Sequence, residues 1–363
     1  SIIDPGVKKD EDYFMYKEGM EMDAFAHDTD GSVYENAVWP GTSVFPDFTK
    51  QSVRSWWGDK TKILLEHGIS GIWNEPASFN GPLPDDVQFE YGAHEKVHNI
   101  YGHFMAKATY EGLAKNDGGK RPFVLTRAAY AGSQKYCGGW TGDNHSIWAH
   151  IALSLEQVCN LSVSGLAMCG SDIGGFGSDT TPELLVRFYE AAVFVPFFRN
   201  HSAMGTRRQE PWQFDETTID AVRKTVKLRY RFIPYIYDLA HECEKTGAPI
   251  VRPLVYEYPA DKHVRNISDE YMLGSFVLVA PVIAPGKEAR EVYLPDGDWY
   301  DYYTGEKYSG GRYILADAPL DKVPVFIKAG AIIPVADGDG AYNAVEYTLD
   351  GDKLEKKVLH KGL

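Results

Sequence analysis

The sequence has 363 residues, of which 44% are hydrophobic and 24% charged, which is enough apolar material for a large buried core. That length suits a barrel of about 250 residues followed by an accessory unit. The formal net charge of −14 argues against nucleic acid and anionic membranes as partners, because both reward a basic surface, and it fits a neutral substrate.

The predicted elements alternate between short apolar runs and longer segments with helical spacing. Such alternation favours a parallel sheet with crossover helices. The predicted strands are Ser1–Ile3, Gly71–Trp73, Pro122–Thr126, Gly165–Cys169, Val193–Phe198 and Ile250–Val255. The predicted helices are Thr49–His67, Val97–Lys115, Ser146–Asn160, Thr181–Ala192 and Thr217–Lys245.

Each predicted strand is followed by a polar, charged or glycine-containing segment. In an α/β barrel the loops at the carboxyl ends of the strands build the active site. The pattern therefore predicts a barrel, with about six of its eight strands present. Because the first residues already resemble a strand, we expect N-terminal sequence of the domain to be missing.

After about Gly274 the sequence becomes rich in short β segments separated by turns, which predicts a small antiparallel β domain. The predicted strands are Phe276–Ile283, Glu291–Leu294, Trp299–Tyr303, Arg312–Leu315 and Val323–Ile333. We therefore divide the chain into a catalytic barrel (1–273), a β-sandwich domain (274–336) and the start of a distal β domain (337–363).

The four cysteines are widely spaced and show no metal-ligand pattern, so we expect reduced thiols packed as small hydrophobic groups. The sequence contains neither a signal peptide nor an apolar stretch of about 18 residues that could span a membrane. A cytoplasmic location is the resulting expectation.

Several carboxylates lie at or near the predicted strand ends, and one chemistry that uses paired carboxylates is the cleavage of glycosidic bonds. A retaining glycosidase needs one carboxylic acid to protonate the leaving oxygen and a second carboxylate, about 5 Å away, as nucleophile. Glu75, Asp143 and Asp172 are candidates, and Asp4 is a weaker one. Asp143 lies in a glycine-rich loop beside Trp140, where the backbone can approach a ligand closely, although a structural turn has the same composition.

Six segments, in chain order, resemble motifs of glycoside hydrolase family 31, and together they extend over nearly the whole chain. They are Trp39–Asp47, Leu125–Asn144, Cys169–Phe176, Phe197–Ser202, Arg252–Leu254 and Pro324–Pro334. The resemblance implies a (β/α)₈ TIM barrel preceded by a β-sandwich and followed by two β domains. This chain resembles the family from about the third barrel strand onward.

Position by position, the resemblance implies that Asp143 is the general acid/base. Arg127 matches an arginine that hydrogen-bonds the bound sugar, and His201 matches a histidine that donates to a sugar hydroxyl. The alternatives are a salt bridge within the barrel for Arg127 and a satisfied core histidine for His201. Asp172 and Arg199 resemble residues that orient the site, with an ion pair that serves stability alone as the alternative. Trp39, Trp140 and Phe176 match aromatic walls of the pocket, with simple core packing as the alternative, and Phe79 and Ile3 match further pocket-lining positions.

One position departs from the family pattern. The family's nucleophile lies in a motif of the form Trp-x-Asp-Met-Asn-Glu-Pro, whereas this sequence runs Trp73-Asn74-Glu75-Pro76 without the aspartate. Our preferred interpretation is that the aspartate, expected next to Asn74, is missing from this chain but present in the protein. A natural deletion giving an inactive homologue is the second interpretation. The third assigns the role to Glu75, against which stands the alignment of Glu75-Pro76 with the Glu-Pro that follows the nucleophile.

The resemblance implies a retaining α-glucosidase that removes terminal non-reducing α-linked glucose from oligosaccharides without cofactor or metal. The expected partner is an α-glucoside oligosaccharide, not nucleic acid or a membrane, and a homo-oligomer is compatible with the sequence. Within the family, α-xylosidase and α-glucosyltransferase remain alternatives. Rivals of other classes are a non-catalytic carbohydrate-binding homologue that lacks the nucleophile and an unrelated barrel enzyme that uses Asp143 and Asp172 around a divalent metal.

Overall fold

The computed structural model describes residues 1–75, 83–336, 342–350 and 353–361. Two compact units make up the chain, unit 1 (Ser1–Trp140) and unit 2 (Thr141–Leu363). The helices of unit 1 are α1 (Phe14–Glu21), α2 (Gln51–Glu66) and α3 (His94–Asn116). Its strands are β1 (Ile2–Ile3), β2 (Val7–Lys8), β3 (Glu35–Val38), β4 (Gly41–Val44), β5 (Ile72–Asn74), β6 (Gln88–Phe89), β7 (Gly92–Ala93), β8 (Val124–Thr126) and β9 (Gly138–Trp140).

The sheet that matters for function in unit 1 is parallel and runs in the order β1, β5, β8, β9. Successive side chains along each strand point to opposite faces of the sheet. Ile72 and Val124 are buried in a cluster with Ala106 and Leu113 of α3, so one face of the sheet is covered by that helix. The opposite face carries the residues described in the next subsection.

Helices α2 and α3 pack against each other through two glycines. A Cβ atom added at Gly112 would lie 2.3 Å from the Gly58 carbonyl oxygen, and one at Gly58 would lie 2.9 Å from the Ala108 oxygen. Real side chains do not approach backbone this closely, so glycine is required for the contact. The two glycines therefore allow the close distance between α2 and α3.

Unit 2 continues with helices and short strands and then becomes a β region. Its helices are α4 (Trp148–Val163), α5 (Pro182–Ala192), α6 (Glu216–Thr246) and α7 (Leu254–Glu257). Its strands are β10 (Cys169–Gly170), β11 (Asp172–Ile173), β12 (Arg199–Asn200), β13 (Val251–Pro253), β14 (Tyr271–Leu273), β15 (Val277–Val279), β16 (Ala289–Leu294), β17 (Asp298–Asp301), β18 (Lys307–Ser309), β19 (Arg312–Asp317), β20 (Val325–Lys328), β21 (Ile332–Ala336), β22 (Tyr342–Asp350) and β23 (Lys353–Lys361).

The β region of unit 2 is antiparallel, as predicted. A six-stranded sheet runs in the order β13, β14, β15, β20, β17, β18, and β16 pairs with β19 separately. Residues of both sheets share one hydrophobic cluster, in which Val292 and Leu294 of β16 meet Leu278, Trp299 and Phe326 of the larger sheet. This arrangement confirms a small antiparallel β domain after the α/β part.

The five predicted helices are confirmed, with ends that differ by a few residues, because each has an apolar face and polar boundaries. The longest, α6, begins after Asp215, whose carboxylate accepts a hydrogen bond from the Thr218 amide (2.8 Å). It ends at Gly247, which adopts the left-handed conformation (φ 76°) that glycine tolerates.

The predicted strand Val193–Phe198 is wrong. The strand in this region is β12 (Arg199–Asn200), which begins directly after Phe198 and pairs in parallel with β11. The side chain of Arg229, on α6, explains the difference. It donates hydrogen bonds to the carbonyl oxygens of Val193 (2.9 Å), Val195 (2.7 Å) and Pro196 (2.9 Å), which a strand would have used for pairing.

The four cysteines are free thiols, as expected, and three of them are buried. Burial raises the pKa of Cys137, Cys159 and Cys169 to about 12, so these thiols are unreactive. Among the described residues, none of the helices is both long and apolar enough to cross a membrane.

Candidate active site

Four side chains of unit 1 meet on the sheet face away from α3. The rings of Trp73 and Trp140 form an edge-to-face pair with centroids 4.7 Å apart. The guanidinium of Arg127, directly after β8, lies 5.1 Å from the Trp140 ring. Its Nη2 donates to Oε2 of Glu75, directly after β5, at 3.4 Å. The strand ends thus bring together a carboxylate, a permanent cation and two aromatic rings.

Burial strengthens the electrostatic coupling in this group. The Glu75 side chain is 7% exposed, and Trp140 is almost fully buried. Charges that are partly shielded from water interact more strongly than exposed ones. Arg127 is therefore engaged by Glu75 and by Trp140, and the salt bridge considered for it from the sequence is present.

Asp143 of unit 2 is an exposed residue in a loop. Hydrogen bonds hold the residues that follow it. The buried side chain of Asn144 donates to the Asp172 carbonyl oxygen (3.0 Å) and accepts from the Asp172 amide (3.2 Å). The Asn144 carbonyl oxygen accepts from the amide of Phe176 at 2.6 Å. Ser146 completes the attachment by donating to the Gly174 carbonyl oxygen at 2.8 Å. Asp143 is thus an exposed residue on a backbone that hydrogen bonds of its neighbours hold in place.

The loop after β11 can approach the Asp143 loop because of Gly175. Its φ of +87° lies in the left-handed region, and a Cβ there would stand 2.3 Å from the Ser146 amide nitrogen. Both facts require glycine. This turn carries Phe176 towards His201.

Asp172 and Arg199 form an ion pair between the parallel strands β11 and β12. The two residues are partners in the strand register, and Arg199 Nη2 lies 2.7 Å from Asp172 Oδ1. The Asp172 side chain is fully buried and that of Arg199 is 23% exposed. The ion pair is present, as both the orienting role and the alternative of a purely stabilising pair require.

Phe176 and His201 stack, with ring centroids 5.1 Å apart and planes inclined by 28°. The backbone reinforces the stack, because the Ala203 amide donates to the Phe176 carbonyl oxygen (2.9 Å). The side chain of Gln209 supports the segment that carries His201. Its Nε2 lies 3.0 Å from the His201 carbonyl oxygen, 2.9 Å from Asn200 Oδ1 and 3.0 Å from the Ile173 carbonyl oxygen.

Sequence reasoning missed Asn144, Ser146 and Gln209 as supports of the site. Asn144 and Ser146 flank the glycine-rich loop, so their polar, turn-forming character was a signal that could have been used. Gln209 offers no such signal, because its three acceptors come from segments that only folding brings together.

The remaining predicted residues are dispersed. Trp39 lies at the turn between β3 and β4 and is 82% exposed. Ile3 packs against two hydrophobic clusters of unit 1. Phe79 lies outside the described residues. The part of the chain that the structure describes contains no group of three or more His, Cys, Asp or Glu side chains that could hold a metal ion.

The His201 imidazole should remain neutral over a wide pH range. Burial, assisted by the charge of Arg199, lowers its pKa to about 4 from the ordinary 6.5, and Asp143 acts weakly in the opposite direction. The unfolded chain takes up this proton near pH 6.5, whereas the folded chain does so only near pH 4. Stability is therefore expected to fall as the pH is lowered through this window.

Histidine NMR measures this titration directly, with His201→Gln identifying the resonance. We expect a midpoint near pH 4, and a lower one in Asp143→Asn, where the raising charge is gone. A midpoint near 6.5 would contradict the burial that the structure assigns to the ring.

Comparison with known proteins extends over most of the chain. A protein-family model described as the TIM-barrel domain of glycosyl hydrolases family 31 matches residues 1–239, and the C-terminal domain model of the same family matches residues 247–333. The chain is 46% identical to alpha-glucosidase 2 of Bacillus thermoamyloliquefaciens over 345 residues, which cover 93% of this chain and 44% of that protein.

Two further relatives agree with this result. The chain is 40% identical over 349 residues to a probable glucan 1,3-alpha-glucosidase of Arabidopsis thaliana, covering 93% of this chain and 38% of the relative. A crystal structure of a glucosidase II alpha subunit bound to Glc1Man2 superposes with a TM-score of 0.88 at 33% identity, covering 93% of this chain and 38% of that one. The chain therefore spans less than half the length of each of these relatives.

Proposed function

The chain belongs to glycosyl hydrolase family 31, with a TIM barrel followed by an antiparallel β domain, and from that premise we propose that the protein is a retaining α-glucosidase. Its substrates would be oligosaccharides with a terminal non-reducing α-linked glucose. The observation that carries the proposal is the Asp143 loop, in which this exposed residue precedes Asn144, whose hydrogen bonds attach the loop to the segment that carries Phe176. The names of the relatives at 46% and 40% identity support the same activity.

Asp143 is the proposed general acid/base. It first protonates the departing glycosidic oxygen while a carboxylate on the opposite face of the sugar attacks C1. It then takes a proton from the water that releases the glucose from the covalent glycosyl-enzyme. An exposed position suits a group that must exchange its proton twice in each turnover.

The other predicted residues are proposed to hold and orient the sugar. Arg127 and His201 would hydrogen-bond hydroxyl groups, His201 in its neutral form. The Asp172–Arg199 pair would fix the strands beneath the site. The proposed walls of the sugar pocket are Trp39, Trp140, Phe176, Phe79 and Ile3. We also propose the division into a catalytic barrel (1–273), a β-sandwich domain (274–336) and the start of a distal β domain (337–363).

A second candidate function is carbohydrate binding without catalysis. The observation that favours it is the sequence Trp73-Asn74-Glu75-Pro76, which lacks the aspartate of the family motif. Alternative specificities within the family are α-xylosidase and α-glucosyltransferase. A solved family 31 alpha-xylosidase resembles the chain at 30% identity with a TM-score of 0.83.

Nitrophenyl glycosides distinguish these functions. The intact protein is expected to release nitrophenol from the α-glucoside faster than from the α-xyloside, and added maltose is expected to compete. Well-folded protein that binds maltose in calorimetry but releases no nitrophenol would exclude the hydrolase and leave the binding function. Faster cleavage of the xyloside would instead change the assigned sugar.

A further inference from the structure

The parallel strands β11 and β12 of unit 2 end side by side, with Ile173 opposite Asn200. Two of the residues proposed to contact the sugar follow these ends directly, Phe176 after β11 and His201 after β12. Beyond the last rung of a ladder, backbone carbonyl groups have no strand partner, and buried ones need a hydrogen-bond donor from elsewhere. Whatever supplies that donor therefore also controls where the two loops begin.

The side chain of Gln209 caps both strand ends. Its Nε2 lies 3.0 Å from the Ile173 carbonyl oxygen, 2.9 Å from Asn200 Oδ1 and 3.0 Å from the His201 carbonyl oxygen. An amide nitrogen carries two hydrogens, so the three acceptors share them. Gln209 is 3% exposed, so water competes little for these hydrogen bonds. One buried side chain thus joins the strand that leads to Phe176 with the strand that leads to His201.

Asn200 fixes Gln209 in return and links it to a core helix. Its Nδ2 donates to the Gln209 carbonyl oxygen at 2.9 Å and to the Tyr189 hydroxyl at 3.0 Å. Tyr189 is a buried residue of α5, and its ring contacts that of Phe198, directly before β12, with centroids 5.5 Å apart. Connected hydrogen bonds of this kind make a buried site rigid. The cap on the strand ends is therefore anchored to α5.

Gly174 allows Gln209 to approach the turn after β11. A Cβ atom at Gly174 would lie 2.8 Å from Gln209 Nε2, and its φ of +89° is in the left-handed region. The turn through Gly174 and Gly175 leads to Phe176, whose ring stacks on His201. Because glycines have wide conformational freedom, the path of this turn depends on contacts from other segments, and Gln209 supplies one of them.

We infer that Gln209 is a positioning residue, which fixes the Phe176–His201 stack and so holds the His201 ring ready for a sugar hydroxyl. This inference rests on the proposed function. Because Gln209 is buried, it acts through the two loops that it joins. Without its amide group, the carbonyl oxygens of Ile173 and His201 lose this donor, and the two loops lose their shared attachment.

Replacing Gln209 by methionine tests the inference, because the side chain keeps its length and loses its donor. We expect kcat/KM for maltose to fall about 10-fold, the equivalent of one hydrogen bond to the sugar. In a His201→Ala background the same replacement should lower kcat/KM less than about threefold, because residues that act as a unit are not additive. In histidine NMR, the His201 midpoint should move up from near pH 4 towards 6.5, because a loosened stack admits water to the ring.

Two further variants keep the test independent of folding. Gln213→Met changes an exposed glutamine four residues further along the chain and should leave both kcat/KM and the His201 midpoint unchanged. Tyr189→Phe keeps the buried ring and removes only the hydroxyl that accepts from Asn200. It should lower kcat/KM about twofold and move the His201 midpoint in the same direction as Gln209→Met, by less.

The outcomes separate this inference from the proposed function. A Gln209→Met variant that keeps kcat/KM and the His201 midpoint would overturn the positioning role while the hydrolase remains. An unchanged midpoint with equal losses of kcat/KM in both backgrounds would also overturn it, because the side chain would then serve stability alone. Wild-type protein that does not hydrolyse maltose would overturn the proposed function, whereas the titration needs no substrate and would still show whether Gln209 positions His201.

Discussion

Replacing Asp143 by asparagine is expected to lower kcat/KM for maltose about 10²–10⁴-fold, the usual contribution of a positioned acid/base. Asparagine has the same shape but cannot donate the proton that the departing sugar oxygen needs. The bonds that fix the loop belong to Asn144 and Ser146, so the backbone should keep its position. Steady-state kinetics with maltose measures the loss.

The leaving group provides the decisive control for this prediction. A dinitrophenyl α-glucoside needs no protonation, so Asp143→Asn should form the glycosyl-enzyme normally and then release it slowly, giving a burst of dinitrophenolate. Asp296→Asn, an exposed carboxylate in the turn between β16 and β17, should behave as wild type. Equal losses with maltose and with the activated substrate would remove Asp143 from proton transfer.

Replacing Arg187 by methionine is expected to lower the free energy of unfolding at pH 8.5, where the Glu190 carboxyl of the native protein is ionised, by about 3–5 kcal/mol, the effect of leaving one partner of a buried ion pair. Arg187 of α5 is 1% exposed and lies 2.7 Å from the fully buried carboxylate of Glu190. Its other donors reach the carbonyl oxygens of Lys287 (2.8 Å) and Ala318 (2.9 Å) in the β region. The variant therefore loses the hydrogen bonds that attach α5 to the β region as well as the positive charge beside Glu190.

This loss should depend on pH, because of Glu190. Burial raises the pKa of Glu190 to about 8, while Arg187 acts to lower it. A folded pKa above the unfolded value near 4.5 means that stability is greatest below pH 4.5 and declines as the pH rises to about 8. Without Arg187 the pKa should rise further, so the variant's deficit should be larger at pH 8.5 than at pH 5.

Urea unfolding at the two pH values measures both effects. The matched control is Arg223→Met, which breaks an exposed pair with Asp220 at the same three-residue spacing and should change stability by no more than about 0.5 kcal/mol. If Arg187→Met and Arg223→Met lower the free energy of unfolding by the same amount, the buried pair does not stabilise the packing of α5 against the β region.

The elements that could be predicted from the sequence are those with strong local patterns. α2, α4 and α6 follow from helical spacing and polar boundaries. Val193–Phe198 has strand-like composition, but its carbonyl groups are bound by Arg229, 31 residues beyond the end of that segment. A contact of this kind cannot be read from neighbouring residues.

The candidate site divides in the same way. Asp143, Phe176 and His201 could be proposed from the sequence because each lies in a distinctive contiguous motif, whereas the stacking of Phe176 on His201 is seen only in the structure. Gln209 could not be found, because its role depends on acceptors from separate segments. The contact between Glu75 and Arg127 depends on strand alternation along β5 and on the pairing of β5 with β8, neither of which neighbouring residues reveal.

The anomer of glucose that is released first tests the central claim most directly. In proton NMR spectra recorded during the first minutes of maltose hydrolysis, before mutarotation, the account predicts α-glucose from the non-reducing end, because two displacements at C1 restore the original configuration. Initial release of β-glucose would show a single displacement by water and would contradict both the covalent intermediate and the acid/base role proposed for Asp143.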